Sequence, residues 1–117
     1  TVRAALPYLK KAEFGRIVLV GSRAAIDNPP GQATFNMAKA AVMALGRSVA
    51  SELESTEVTA RVLLPSVIDT PATRATLPYA DYVNWPTPEE IAGVAEFLLT
   101  KEAGVMNGAM VPVFGKA

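Results

Sequence analysis

The stretch GRIVLVGS, residues 15–22, decides the fold of this chain. Its four consecutive large apolar residues, 17–20, lie between two glycines, a pattern typical of a strand buried on both faces of a parallel sheet. The sequence predicts two further strands, at 58–64 and 109–114. Parallel strands require right-handed crossovers of a dozen or more residues, and the spacing here leaves room for them. We therefore predict an α/β fold of about three parallel strands alternating with helices.

The segments between the strands carry helical signals. Apolar residues recur every three or four positions across 34–55, which predicts a long amphipathic helix with Thr34 as its N-cap. Residues 87–100 begin with Thr-Pro-Glu-Glu, a capping-box pattern that predicts Thr87 as a second N-cap. The proline-rich stretch 65–86 is expected to be irregular, and long irregular segments usually carry function.

Composition excludes several classes of protein. The chain has 117 residues with no cysteine and no histidine, and eleven Lys plus Arg balance eleven Asp plus Glu. Without imidazole or thiolate it cannot form a zinc site, a Ser-His-Asp triad or a Cys-His dyad, so we expect no metal. Balanced charge disfavours nucleic acid and anionic membranes, and no apolar run approaches the roughly 18 residues of a membrane span. We expect a single domain, a cytoplasmic location, and a small-molecule or protein partner.

Candidate site residues cluster where the predicted strands end. Ligands of open parallel sheets bind outside the carboxyl ends of the strands. Ser22 follows the first strand, whereas Pro65 and Thr70 follow the second. Lys39 comes one helical turn after Phe35 and so lies on the same helix face. We expect a hydroxyl, an aromatic ring and an ammonium to converge on one pocket.

This arrangement resembles the C-terminal half of the short-chain dehydrogenase/reductase family over essentially the whole chain. The resemblance rests on a strand, Gly-Ser, a Pro-Gly loop, an aromatic-x-x-x-Lys motif thirteen residues after Ser22, and Pro-x-x-x-x-Thr after the next strand. Within the family, residues 24–27, 37–42 and 69–71 look most like the dihydropteridine-reductase branch.

The resemblance implies an NAD- or NADP-dependent oxidoreductase acting on a carbonyl or a quinonoid pterin-like substrate. It places the catalytic positions at Ser22, Phe35 and Lys39, and it implies cofactor contacts at Lys39, Pro65, Val67, Ile68 and Thr70. In the family a tyrosine is the general acid or base, and the lysine lowers its pKa. Position 35 is phenylalanine here and has no proton to transfer, so we expect impaired catalysis.

Residues 1–117 are expected to form one partial dinucleotide-binding domain, because the family's glycine-rich phosphate loop is not found in them. Weak cofactor binding by the chain alone follows from this expectation. The alternative is a non-catalytic oligomerisation or interaction module derived from the same fold. The apolar stretch 40–45 and the unpaired edge of the first strand favour a homo-oligomer through helix 34–55. The alanines there could equally serve helix propensity alone.

Overall fold

Residues 1–116 are described by a computed structural model with one sheet of three parallel strands in the order β1-β2-β3. These strands are β1 (Gly15–Val20), β2 (Val58–Pro65) and β3 (Met110–Val113). In the register, Gly15 pairs with Val58 and Val62 pairs with Met110. The predicted α/β fold is confirmed, with β2 central and β1 open along one edge.

Five α-helices connect and cover the strands: α1 (Val2–Leu9), α2 (Ala24–Asp27), α3 (Ala33–Glu52), α4 (Pro71–Thr76) and α5 (Pro88–Leu98). The predicted cap of the long helix is wrong, because α3 begins at Ala33 and Thr34 lies in its first turn. The N-cap is Gln32, whose carbonyl oxygen accepts from the Asn36 N–H at 2.8 Å, and the preceding loop contains two residues with positive φ, Asn28 and Gly31. None of the helices within residues 1–116 is long and apolar enough to cross a membrane.

The face of the sheet toward α3 is apolar. Helix α3 comes so close to β2 that a Cβ on Gly46 would overlap the Val62 side chain. Glycine therefore sets the depth of the helix that carries Phe35 and Lys39. The core cluster on this side contains Ile17, Val49, Ala50, Leu53, Val58 and Ala60.

The opposite face carries a buried cation. Arg61 on β2 is fully buried and donates to the carbonyl oxygens of Leu98, at 3.1 Å, and of Ala103. Burial, and then the nearby Arg16, lower the pKa of Arg61. These donors satisfy carbonyls at and beyond the C-terminus of α5, where a positive charge is favourable.

The N-terminus of α5 has the predicted capping box. The Thr87 hydroxyl accepts from the Glu90 N–H at 3.2 Å, and the Glu90 carboxylate accepts from the Thr87 N–H at 2.8 Å. The prediction that 65–86 is irregular is wrong in part, because the segment contains α4 and a short 3-10 turn at Tyr82–Asn84. Thr70 and Asp81 start these elements through their own side chains.

Candidate functional site

A cavity of about 390 Å³ opens at the carboxyl ends of β1 and β2. The end of β1, helix α2, the start of α3 and the end of β2 each form part of its wall. The residues that line it are Ser22, Arg23, Ala24, Asp27, Pro29, Gln32, Phe35, Ser66 and Val67. The structure therefore brings Ser22 and Phe35 to one cavity, with Lys39 one turn behind.

Ser22 lies where β1 turns into α2. The backbone pairing with β2 continues past the strand, since the Gly21 N–H donates to the Leu63 carbonyl oxygen at 2.8 Å. The Ser22 Oγ accepts from the Ala24 N–H at 3.1 Å, as in an ordinary serine turn. Because this bond uses only a lone pair, the Ser22 hydroxyl proton is available to a ligand.

Phe35 and Lys39 share one face of α3 near its start. The Phe35 ring is 45% exposed, and the Lys39 Nζ lies 5.9 Å from the ring centroid. Lys39 Nζ also donates to the Val20 carbonyl oxygen at 3.0 Å, which ties α3 to the end of β1. Lys39 does not line the cavity itself. An ammonium therefore lies beside an aromatic ring that carries no hydroxyl.

No other phenol replaces the missing hydroxyl in this cavity. The three tyrosines of the chain are Tyr8, Tyr79 and Tyr82, and all lie among the described residues. None of them lines the 390 Å³ cavity.

The segment after β2 is divided between two roles. Val67 lines the cavity, whereas Pro65, Ile68 and Thr70 do not. The Thr70 Oγ1 accepts from the Thr73 N–H at 3.1 Å and is the N-cap of α4, with Pro71 at the first helical position. In this structure Thr70 therefore starts a helix.

A second cavity, of about 640 Å³, lies beside this segment. In its wall, Arg74 donates to both carboxylate oxygens of Asp69, at 2.5 and 2.7 Å, and stacks 4.0 Å over the Tyr82 ring. The hydrogen bond from Arg74 lowers the pKa of Asp69. Tyr82 in turn packs against Trp85, with ring centroids 6.2 Å apart. These contacts hold the segment against the end of the sheet.

Sequence reasoning missed Gln32 and Ser66 in the first cavity. Gln32 could have been found from its spacing, since it precedes Phe35 by three residues, or about one helical turn. Ser66 gave no signal, because a serine after a strand is ordinary loop chemistry.

Comparison with known proteins agrees with this fold. The family model described as Enoyl-(Acyl carrier protein) reductase matches residues 1–115. A solved short-chain dehydrogenase/reductase family protein superposes with a TM-score of 0.87 at 30% identity, covering 97% of this chain and 50% of that one. A short-chain oxidoreductase from Burkholderia thailandensis gives a TM-score of 0.85 at 29% identity, covering 97% and 48%. The chain belongs to the short-chain dehydrogenase/reductase family.

Similar curated proteins carry a more specific name. The 3-oxoacyl-(acyl-carrier-protein) reductase MabA of Mycobacterium tuberculosis is 36% identical over 115 residues, covering 92% of this chain and 47% of the relative. The corresponding reductase FabG of Pseudomonas aeruginosa is 34% identical over 121 residues, covering 97% and 49%. The chain thus spans about half the length of the curated relatives it matches. The expected closeness to dihydropteridine reductases is not supported by these relatives.

Proposed function

We propose that the chain forms the substrate side of an NAD- or NADP-dependent reductase that acts on the 3-oxo group of an acyl thioester. The observation that carries the proposal is the cavity at the strand ends, which Ser22 and Phe35 line with Lys39 one turn behind. The names of the relatives favour a thioester over the quinonoid pterin that the sequence motifs suggested.

The residues behind the cavity fit the nicotinamide end of such a cofactor. Lys39 uses one of its three N–H donors on Val20, so two donors are available to ribose hydroxyls. Val67 and Ile68 are partly exposed and offer apolar surface to a ring, whereas the Thr70 hydroxyl is already engaged in capping α4. When bound, the reduced cofactor supplies a hydride to the carbonyl carbon.

Ser22 and position 35 have separate roles in this reaction. The free hydroxyl proton of Ser22 can bind the carbonyl oxygen, on which negative charge develops as the hydride arrives. A phenol at position 35 would protonate that oxygen, but phenylalanine cannot. In this chain the oxygen takes its proton from water, and we expect slow turnover.

The test is Phe35→Tyr in the chain fused to the nucleotide-binding half of a relative. The new phenol would lie beside the Lys39 ammonium, which lowers its pKa toward the working range. NADPH-dependent reduction of an acetoacetyl thioester should rise by about 10² to 10⁴-fold. Lys39→Ala in the same background should remove most of the gain.

Unchanged turnover with normal NADPH binding would contradict the proposed role of position 35. A quinonoid dihydropterin, offered in place of the thioester, separates the two substrate classes. If only the pterin is reduced, the thioester assignment is wrong and the reductase assignment stands.

The exposed face of α3 supports a second function, self-association. Met37 is 68% exposed and Leu45 is 46% exposed, so α3 carries apolar surface outside both the core and the cavity. We propose a homo-oligomer through residues 34–55, which would bury this surface. Light scattering should show a dimer or larger species that Met37→Glu dissociates. A well-folded monomer at high concentration would contradict the proposal.

A further inference from the structure

The polar groups of the 390 Å³ cavity differ in what they can offer a ligand. The Ser66 hydroxyl donates to the Phe114 carbonyl oxygen at 3.2 Å, so its proton is engaged. The Asp27 carboxylate accepts from the Arg23 Nε at 2.7 Å. Ser22 keeps its hydroxyl proton, because its Oγ only accepts from the protein. Within residues 1–116, the Gln32 side-chain amide has no hydrogen-bond partner.

The position of Gln32 explains why its amide is not engaged. It is the N-cap residue of α3, where its backbone carbonyl accepts from the Asn36 N–H at 2.8 Å. The usual caps are Ser, Thr, Asp and Asn, whose short side chains bond to the first turn. The longer Gln32 side chain makes no such bond, and the residue lines the cavity together with Ser22 and Phe35.

We propose that the Gln32 amide and the Ser22 hydroxyl form a neutral pair of donors that binds the substrate's 3-oxo oxygen. This inference rests on the proposed function and adds the residue that recognises the carbonyl. Two donors in the wall of the cavity would stabilise the negative charge that the carbonyl oxygen gains if a bound reduced cofactor supplies a hydride to the carbonyl carbon. The amide keeps its protons, and the resulting alkoxide is protonated by water.

A pair of neutral donors has a testable preference. It should bind an acyl thioester with a 3-oxo group more tightly than the same acyl chain without that oxygen, because only the former accepts both hydrogen bonds. The two probes are S-acetoacetyl-N-acetylcysteamine and S-butyryl-N-acetylcysteamine, titrated against the 117-residue chain by NMR.

The decisive variant is Gln32→Leu, which keeps the bulk of the side chain and removes the amide. Affinity for the acetoacetyl probe should fall roughly threefold to tenfold, the effect of one lost hydrogen bond, while affinity for the butyryl probe should not change. Thr34→Val is the matched control. Thr34 is exposed, lies in the same turn of α3 and does not line the cavity, so this change should leave both affinities unaltered.

A spectroscopic measurement distinguishes a donor from a residue that only shapes the cavity. Donors lower the stretching frequency of a bound carbonyl, so the infrared band of a ¹³C-labelled 3-oxo group should move to higher frequency in Gln32→Leu. The carboxylate in Gln32→Glu offers hydrogen-bond acceptors in place of donors. This variant should lower the affinity for the acetoacetyl probe at least as much as Gln32→Leu does.

The possible failures are separable. If the unmodified chain prefers the acetoacetyl probe and Gln32→Leu keeps that preference and the same infrared band, Gln32 is not a donor and the proposed function stands. If the unmodified chain binds both probes equally, or neither, the thioester assignment fails and this inference fails with it.

Discussion

The two ends of the β-strands carry cavities of opposite character. At the amino ends lies an open cavity of about 840 Å³, and its wall includes Arg16. That guanidinium donates to four backbone carbonyl oxygens, so its capacity to bind a ligand is largely used. The cavity at the carboxyl ends has less than half this volume, yet Ser22 and Gln32 there keep unengaged donors. The larger cavity also holds a group without a partner, the buried Thr59 Oγ1, so what distinguishes the smaller cavity is that its free donors lie beside Phe35 at the carboxyl ends of the strands.

The largest expected effect is that of Arg61→Ala, which tests an arginine engaged by backbone carbonyls, as Arg16 is. Removing a fully buried side chain that donates to two carbonyls should lower the free energy of unfolding by about 3 kcal/mol. Urea denaturation measures the change. Arg47→Ala is the control, because Arg47 is an exposed residue in the wall of the 840 Å³ cavity and its loss should lower the free energy of unfolding by less than about 0.5 kcal/mol. Equal losses would break the distinction between buried and exposed arginines.

The next effect concerns the contact that sets the depth of α3. Gly46→Ala should destabilise the chain by about 2 kcal/mol, since the added methyl overlaps the Val62 side chain. Gly93→Ala is the control in α5, where a Cβ would meet nothing within 4 Å. Alanine there should raise stability by about 0.5–1 kcal/mol, because it favours the helix over the unfolded chain. Thermal unfolding of both variants checks the opposite signs.

A smaller effect tests whether Thr70, which lies beyond the carboxyl end of β2, has a structural role. Thr70→Val removes the N-cap hydroxyl of α4 and should lower the free energy of local unfolding of this helix by about 1 kcal/mol. Amide exchange in α4 should then become roughly fivefold faster. Thr76→Val removes an exposed hydroxyl from the same helix and should change exchange much less. If Thr70→Val weakens NADPH binding without changing exchange, the capping role is wrong.

The smallest effect is a dependence on pH at the Asp69–Arg74 pair. The hydrogen bond from Arg74 holds the pKa of Asp69 below its ordinary value of 3.8. When the pKa of a carboxyl is lower in the folded state than in the unfolded state, its ionised form stabilises the fold at pH values above the unfolded-state pKa. This stabilisation is lost as the pH falls through the folded-state pKa. Asp69→Asn should therefore flatten the acid limb of a plot of unfolding free energy against pH. An unchanged limb would mean that the pair contributes nothing to stability.

Local patterns predicted the parts of the fold that they control. The apolar run at 17–20 predicted a parallel strand and the capping box at Thr87 predicted a helix start, because both depend on neighbouring residues. The predicted burial of that strand on both faces is wrong, because β1 lies at the edge of the sheet and Val20 is 53% exposed. The spacing of Ser22 and Phe35 likewise predicted that they meet at one cavity. The predicted convergence of Lys39 on that cavity is wrong, because Lys39 Nζ donates to the Val20 carbonyl oxygen and lies outside the wall.

Other features depend on contacts between distant residues. Nothing in the sequence distinguishes Arg61 from the other charged residues. Its burial is explained by the carbonyl oxygens of residues 98 and 103, which accept hydrogen bonds from its guanidinium. Gln32 is a partly similar case, because its spacing from Phe35 could have placed it near the cavity, but only the structure shows that its side chain makes no capping bond. The start of α3 was missed because its N-cap is Gln32, a residue whose side chain makes no capping bond and so gives no local signal.

The parallel register has a consequence for how the chain folds. The pairing of Gly15 with Val58, like that of Val62 with Met110, joins residues about 40 to 50 positions apart. Each such pairing must close a long loop before its contacts form, which makes it slow, and β2 takes part in both. We therefore expect the rate-limiting event to be the docking of α3 and β2 onto β1, with β3 joining afterwards. The close contact of Gly46 with Val62 would then form early, and Gly46→Ala should slow folding more than it speeds unfolding.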